Sequence, residues 1–386
     1  MGLKIIVASD SFKGSLTNIQ VSSIMKRAIN SFDENIEVLE IPMADGGEGT
    51  VDAILLGIPN SKKIFCNVED PLGRDIETYY GWIPEGKIAV IETAAASGLP
   101  LLSDEEKSPA RATTFGTGQL ILNALNRGGK SIILGLGGSA TVDAGVGLFQ
   151  ALGLKVFDHD GVEMHRVGGE LGRIARIDTR HIDRRLYDVK IVVASDVTNP
   201  LLGDNGAIRV FGPQKGVTAD QIETFEAGMV HFSKVVIDAL GKNMVNSPGS
   251  GAAGGIGFML KSLLDVEFRS GLDIVVETSH FAKHLKNCDL VFTGEGRVDG
   301  QSLYGKVPVG IGRLAKAQSV PVIAFTGAVG EGEDRVRAEG ISAVVPIVDR
   351  PMPLHEAMKE SELLLYNAVK RTLDLYQLGR NNNING

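Results

Sequence analysis

The chain has 386 residues, 43% of them apolar and 22% charged, with a formal net charge of −8. That length predicts two or three domains, and that composition is typical of a soluble globular protein. The acidic balance argues against a general nucleic-acid binder, which carries a basic patch, and no run of about 18 apolar residues exists to span a membrane.

The opening "MGLKIIVASDSFKG" has no long apolar core and no cleavage site, so no export signal is expected. Gly2 is only a weak match to a myristoylation signal. "LKIIVAS" is a β-branched run and predicts a strand. In "SLTNIQVSSIMKRAINSF", Ile19, Ile24, Ala28 and Ile29 stand near helical spacing. "NIEVLEIPMADGG" then reads as a second strand ending in a loop. Strand, helix and strand with short links form a βαβ unit, which predicts a parallel sheet. The texture changes in "DPLGRDIETYYGWIPEGKIAVIETA", where strand and turn signals around "PEG" predict an antiparallel hairpin. "SIILGLGGSATVDAGVG", Ser131 to Gly147, reads as an apolar run, a glycine turn and a helix. "CDLVFTGEG", "VPVIAFTG" and "ISAVVPIV" predict further strands, and "LHEAMKESELLLYNAVKRTLDLY" a closing amphipathic helix. The expected fold class is α/β with two domains. Residues 1–66 and 287–378 share one parallel sheet, 67–286 form an inserted α/β domain, and the polar tail 379–386 is expected to be disordered. No fixed-period repeat or low-complexity linker interrupts this order. Cys66 and Cys288, the two cysteines, fit neither a disulfide framework nor a zinc site, so a cytoplasmic location is expected.

The chemistry-bearing residues follow the predicted strands, in loops rich in the chain's 48 glycines. Lys13 in "SDSFKG" is either a surface lysine or a cation for a carboxylate or phosphate. "PMADGGEGT" sets Asp45 and Glu48 around Gly46 and Gly47 at a strand's C-terminal end, where parallel sheets bind ligands. Two carboxylates there suit Mg2+; the competing reading makes Asp45 or Gly47 a helix N-cap with Glu48 in the first turn. "GLGGSA", Gly135 to Ala140, matches the dinucleotide fingerprint, with Asp158 spaced for a ribose hydroxyl. "GSGAAG", Gly249 to Gly254, matches it too, so a purely structural turn stays open at both places. "NRGGKS", Asn126 to Ser131, resembles the end of a P-loop, but Ala124 stands where that pattern needs glycine. Asp196, after "IVVAS", is a candidate base for a substrate hydroxyl, a metal ligand, or an Asx turn before Pro200. "FTGEGRVDGQSLYGKVP" gathers Glu295, Arg297, Asp299 and Lys306 beyond a strand, more charge than turn chemistry requires. The seven histidines lie outside these loops, so histidine-based metal or triad chemistry is not expected. Acids and cations on glycine loops suit phosphoryl transfer, where a protein mainly positions phosphates and metal.

At this point "DSFKGSL", "PMADGGEGT", "ATTFGTGQLI", "GLGGSATVDAG", "SDVTNPLLG", "FGPQKG", "GAAGGIG" and "TGEGRVDGQSLYGKVP", in this order, resemble the bacterial glycerate kinase family of type I. The resemblance covers nearly the whole chain and leaves out only "LGRNNNING". It implies ATP-dependent, Mg2+-assisted phosphorylation of D-glycerate, usually to 2-phosphoglycerate, by in-line transfer at a cleft between a Rossmann-like domain built from both chain ends and an inserted domain. Within that frame, Lys13 and Arg297 are expected to face the glycerate carboxylate, and Asp196 to orient or deprotonate the attacking hydroxyl. Gly137, Gly138, Ser139, Ala140 and Thr141 are expected to hold the nucleotide phosphates. Asp45, Gly46, Gly47, Glu48 and Asn199 are expected to bind substrate, with Asp45 and Asp299 as Mg2+ ligands. The expected partners are small molecules only, with no nucleic acid and no membrane, in a monomer or homodimer. Two rivals stand beside this reading: an NAD-dependent hydroxyacid dehydrogenase built on "GLGGSA" and Asp158, and a non-enzymatic sugar-acid binding protein.

Overall fold

The computed structural model describes residues 3–300, 303 and 306–384. It divides into two compact units, Met1–Asp45 with Asp52–Pro59 and Leu272–Gly386, and Gly46–Val51 with Asn60–Gly271. In chain order the strands among the described residues are β1 (Lys4–Val7), β2 (Glu37–Glu40), β3 (Lys62–Glu69), β4 (Asp75–Ile83), β5 (Ile88–Glu92), β6 (Ser131–Gly135), β7 (Lys155–Phe157), β8 (Glu163–Met164), β9 (Arg176–Asp178), β10 (Lys190–Ala194), β11 (Val266–Arg269), β12 (Leu290–Val298), β13 (Val322–Val329) and β14 (Ala343–Pro346).

The first unit is built on one parallel sheet in the order β14-β13-β12-β1-β2. Ile5 pairs with Leu290 on one side and with Val38 on the other. Ile5, Ile6 and Val7 are wholly buried, which is why β1 reads as an unbroken apolar run rather than an alternating one. Counted along the unit's own chain, the strand order is 2-1-3-4-5. The winding therefore reverses between β1 and β12, and in such sheets the crevice beyond the strands' C-terminal ends at that reversal is the ligand position. The helix Asn18–Phe32 starts at a capping box, with the Gln20 amide on the Thr17 hydroxyl and the Thr17 amide on the Gln20 side chain. It buries Val21, Ile24, Met25, Ala28 and Ile29; Ile19 sits at the margin of that stripe. The closing helix runs Ser361–Ile384, after a short one at Leu354–Lys359. It takes in most of the tail that composition leaves outside regular structure, because a helix already anchored by Leu364, Leu365, Ala368, Val369 and Leu373 needs little more to propagate.

The second unit carries a six-stranded mixed sheet, β11-β10-β6-β5-β4-β3, with β11, β10, β6 and β5 parallel. The expected hairpin is present: β4 runs antiparallel to β5, with Gly81 opposite Val90, across a turn in which Gly86 takes a φ of 75°. β3 pairs along its length with β4, from Lys62 opposite Trp82 to Glu69 opposite Asp75, which ties the chain from Asn60 onward into this unit. Tyr80, Phe149, Phe232 and Phe258 fill its core. A small antiparallel sheet, β8-β7-β9, completes it. Among the described residues no helix is long and apolar enough to cross a membrane.

Candidate active site

The first unit gathers its charges where the winding reverses. The Asp10 amide and the Ser9 hydroxyl both donate to the Gly294 carbonyl, at 3.0 Å each, and this fixes the loop after β1 against β12. The Asp10 carboxylate is only 6% exposed and accepts the Ser11 amide at 2.7 Å. Burial, then the neighbouring Asp45 and Glu295 charges, push its pKa up to about 8, against the opposing Ser11 amide and Lys13. Lys13 is exposed and stands 3.8 Å from Asp45, which follows β2. Glu295, buried within β12, lies 3.4 Å from Lys306. Lys306 also donates to the Arg297 carbonyl, and the Arg297 guanidinium meets Asp299 at 3.0 Å. The expected Lys13 and Asp45 are thus together, and the expected Arg297 and Asp299 are paired with each other. Asp10 and Lys306 join them. A carboxylate three residues past a strand is a signal for Asp10, but its burial is not readable in sequence.

These donors suit a hard, oxygen-seeking cation, but not an all-protein cage. Among the described residues, no three acid, histidine or cysteine side chains gather to enclose a metal. Mg2+ commonly takes one or two carboxylates and fills its remaining positions with waters and substrate phosphates, so the fit is to a cation that arrives with a nucleotide. The half-buried Asp45 remains a candidate ligand; Asp299 already serves Arg297.

In the second unit the glycine loops pack backbone on backbone. A Cβ on Gly46, whose φ is 93°, would stand 2.6 Å from the Ala194 carbonyl. A Cβ on Gly137 would stand 2.4 Å from the Gly47 Cα, and the Gly137 amide donates to the Gly46 carbonyl at 3.1 Å. The loop 46–49 is thereby laid against the ends of β6 and β10. Glu48 points to solvent. The helix that follows begins at Thr50, with Asp52 as its first-turn acid, and the Val51 amide is received by the buried Glu92. Glu48 therefore lies before the first turn rather than in it; the Thr50 amide and hydroxyl both donate to the Gly47 carbonyl, and Glu92, at the end of β5, serves the Val51 amide.

The segment after β6 departs from the strand, turn and helix expectation. Gly138 takes a φ of 75° and is exposed, but the chain then runs extended, with Ser139 bridged to Gly98 and the Ala140 amide donating to the Ser97 carbonyl. The next helix, Val146–Ala151, begins only after Gly145 and is short. Two amides expected to face an anion, those of Gly137 and Ala140, are thus engaged within the unit. The second match also serves packing: a Cβ on Gly254 would stand 2.1 Å from the Thr141 carbonyl, and the Ala144 amide donates to the Gly254 carbonyl. Asp158 closes a turn between β7 and β8, accepting the Asp160 and Val162 amides. Both supports of the dinucleotide reading are accounted for by turn and packing chemistry.

Beneath the loop lies a residue that the sequence did not single out. Lys215 is 2% exposed, and its ammonium donates to Ser139 Oγ at 2.7 Å and to the Thr141 carbonyl at 2.8 Å. Burial lowers its pKa to about 7, with Asp143 opposing. Asp143, fully buried, accepts the Thr114 amide and hydroxyl at 2.8 Å each and the Gly145 and Gly147 amides; burial still raises its pKa. In sequence, Lys215 is marked by its place between turn residues in "FGPQKG", one of the stretches that carry the family resemblance. Asp196 stands half-buried past the end of β10, where the Ser195 amide donates to the Arg269 carbonyl. The Asn199 side-chain amide donates to the Asn205 carbonyl at 2.9 Å, so Asn199 shapes this loop with the group expected to reach substrate.

The comparisons with known proteins agree with one another. A model of the Glycerate kinase family matches residues 5–377. The chain is 43% identical over 366 residues to a glycerate kinase of Halalkalibacterium halodurans, covering 95% of this chain and 96% of that one. It is 42% identical over 357 residues to the glycerate 2-kinase of Escherichia coli, covering 92% and 93%. A crystal structure assigned as glycerate kinase 2 of Salmonella typhimurium LT2 superposes with a TM-score of 0.81 at 36% identity, covering 99% of this chain and all of that one. With a match of this extent and relatives of this similarity, the chain belongs to the glycerate kinase family of phosphotransferases.

Proposed function

We propose that the protein transfers the γ-phosphoryl group of ATP to the 2-hydroxyl of D-glycerate, giving 2-phosphoglycerate and ADP. The observation that carries this reading is the 42% identity, along nearly the whole chain, to a glycerate 2-kinase. The buried Lys215 under a glycine loop and the acid and cation cluster at the β1–β12 reversal supply the group types that phosphoryl transfer uses. Gly137 to Thr141 line the nucleotide phosphates. Lys13 and Arg297 face the glycerate carboxylate, with Gly46, Gly47, Glu48 and Asn199 shaping the substrate loops. Asp45 would hold Mg2+, which when bound neutralises phosphate charge, while Asp299 orients the Arg297 guanidinium. The substrate oxygen bonds to the γ-phosphorus as the bond to the ADP oxygen breaks, and Asp196 takes the hydroxyl proton. Because ATP is the donor, the enzyme works in the cytoplasm.

The experiment is a reaction with ATP, Mg2+ and D-glycerate followed by 31P NMR. A 2-phosphate couples to one carbon-bound proton and a 3-phosphate to two, so the multiplicity reads the position. No phosphorylated glycerate would sink the proposal, and the 3-isomer would sink its regiochemistry. Asp196→Asn should lower kcat by about 100-fold or more with folding kept, within the range for a positioned base. Near-normal turnover would remove Asp196 from that role.

A further inference from the structure

Lys215 is a buried cation without an ion-pair partner among the described residues. Its neighbour in charge, Asp143, is committed to Thr114, Gly145 and Gly147. The ammonium uses two of its three N–H groups, on Ser139 and on the Thr141 carbonyl. Burying a charge so incompletely compensated is unfavourable, and such groups are kept where a counter-charge arrives. Two buried hydroxyls near this end of the sheet, Thr141 Oγ1 and Thr93 Oγ1, also have no hydrogen-bond partner among the described residues. Thr93 follows β5 directly, and its amide donates to the Gly135 carbonyl at the end of β6. One orphaned hydroxyl is a curiosity, but a lone ammonium with two orphaned hydroxyls, beside an exposed glycine at Gly138, describes a place for an anion.

We propose that Lys215 is a positioning residue for the phosphoryl donor, setting Ser139 and Thr141 under the nucleotide phosphates, whose charge balances its own. This rests on the reading of the chain as an ATP-dependent kinase and goes beyond it by naming the brace of the phosphate loop. By donating to Ser139 Oγ, the ammonium leaves the Ser139 hydroxyl hydrogen free to point at an anion. By donating to the Thr141 carbonyl, it pins the backbone of the loop. Its charge acts from a buried position without touching the phosphates.

A brace with a purely structural role would lower stability and leave substrate affinities alone, so the test reads affinity. Binding of Mg-ATP is measured by calorimetry, and the KM values for ATP and glycerate by steady-state kinetics. The proteins are the wild type, Lys215→Met, Ser139→Ala and the double variant. The expected result is an ATP dissociation constant and KM raised about tenfold or more in Lys215→Met, the size of a lost charge-assisted contact, with the glycerate KM within about twofold. Ser139→Ala should move in the same direction, and the double variant should be no worse than Lys215→Met, since the two act as one unit. A folded Lys215→Met with unchanged ATP affinity, or strictly additive losses, would overturn the proposal. Should Lys215→Met fail to fold, Ser139→Ala decides alone: unchanged ATP affinity in that variant overturns it. The calorimetric arm keeps the outcomes distinct, because a wild type that binds ATP but does not phosphorylate glycerate defeats the substrate reading and not the brace.

Discussion

Arg297 and Asp299 stand two positions apart and share an ion pair, so the guanidinium expected to bind glycerate is already oriented by an acid. Its side chain is 65% exposed against 15% for Asp299, and a pair with one partner in water adds only modestly to stability. Arg297→Ala should therefore melt close to the wild type while raising the glycerate KM more than the ATP KM, by about tenfold for a lost charged contact. The opposite pattern would move Arg297 to the phosphates. Lys215 behaves differently because it is buried. Its pKa falls from 10.5 to about 7 on folding, so the unfolded chain binds that proton more tightly. Between those values stability rises with pH, as the folded state sheds a charge it holds poorly. Urea unfolding at about pH 7 and about pH 9 should show the wild type gaining on Lys215→Met as pH rises; a constant gap would mean that the ammonium is not desolvated. Lys13, Arg297 and Asp299 were legible in the sequence as charges beyond apolar runs. Asp10 and Lys215 were not, because a side chain's burial depends on what packs over it.

At the scale of elements, the loops after β6 and before the helix Thr50–Leu56 separate two uses of glycine. Gly137 lies against Gly47 backbone on a path with no flexible side chain to yield, so a methyl there cannot be absorbed. Gly137→Ala should cost about 1–3 kcal/mol, read as a lower urea midpoint. Gly138 is exposed, and a Cβ there would meet only the Ala94 methyl, at 3.1 Å. Gly138→Val should lose less by packing, though its φ of 75° adds strain of about 1–2 kcal/mol, and should weaken ATP before glycerate. Equal effects on both substrates would take Gly138 off the phosphates. The glycine pattern was visible in the sequence, but its meaning was not. "GLGGSA" and "GSGAAG" match one fingerprint, yet neither opens a regular helix on an anion: the first runs on as extended chain, and the second turns through left-handed Ala253, Gly254 and Gly255. A pattern of small residues records that something approaches closely, without saying whether it is backbone or ligand.

At the scale of the whole molecule, the first unit depends on both ends of the chain. β1 pairs with β12, and the closing helix packs on the helix Asn18–Phe32. Removing residues 361–386 would strip Leu364, Leu365, Val369 and Leu373 from the core, roughly 6–12 kcal/mol at about 1.5–3 for each buried side chain, which rivals the whole stability of a domain. Such a truncation should be insoluble or lack a cooperative melt, whereas one ending at residue 378 should melt within a few degrees of the full chain. A cooperative melt in the shorter form would show that the unit closes without that helix. The opening strand–helix–strand unit, the hairpin at "PEG", the parallel sheet shared by the chain ends, the closing helix and the family were determined by the sequence itself. Apolar periodicity and turn chemistry are local, and a run of eight motifs in fixed order leaves few alternatives. Tertiary structure alone decided the charge states and the contacts of the loops. Ser9 meets Gly294 across 285 positions and Lys215 meets Ser139 across 76, and desolvation exists only once those distant segments close over a side chain.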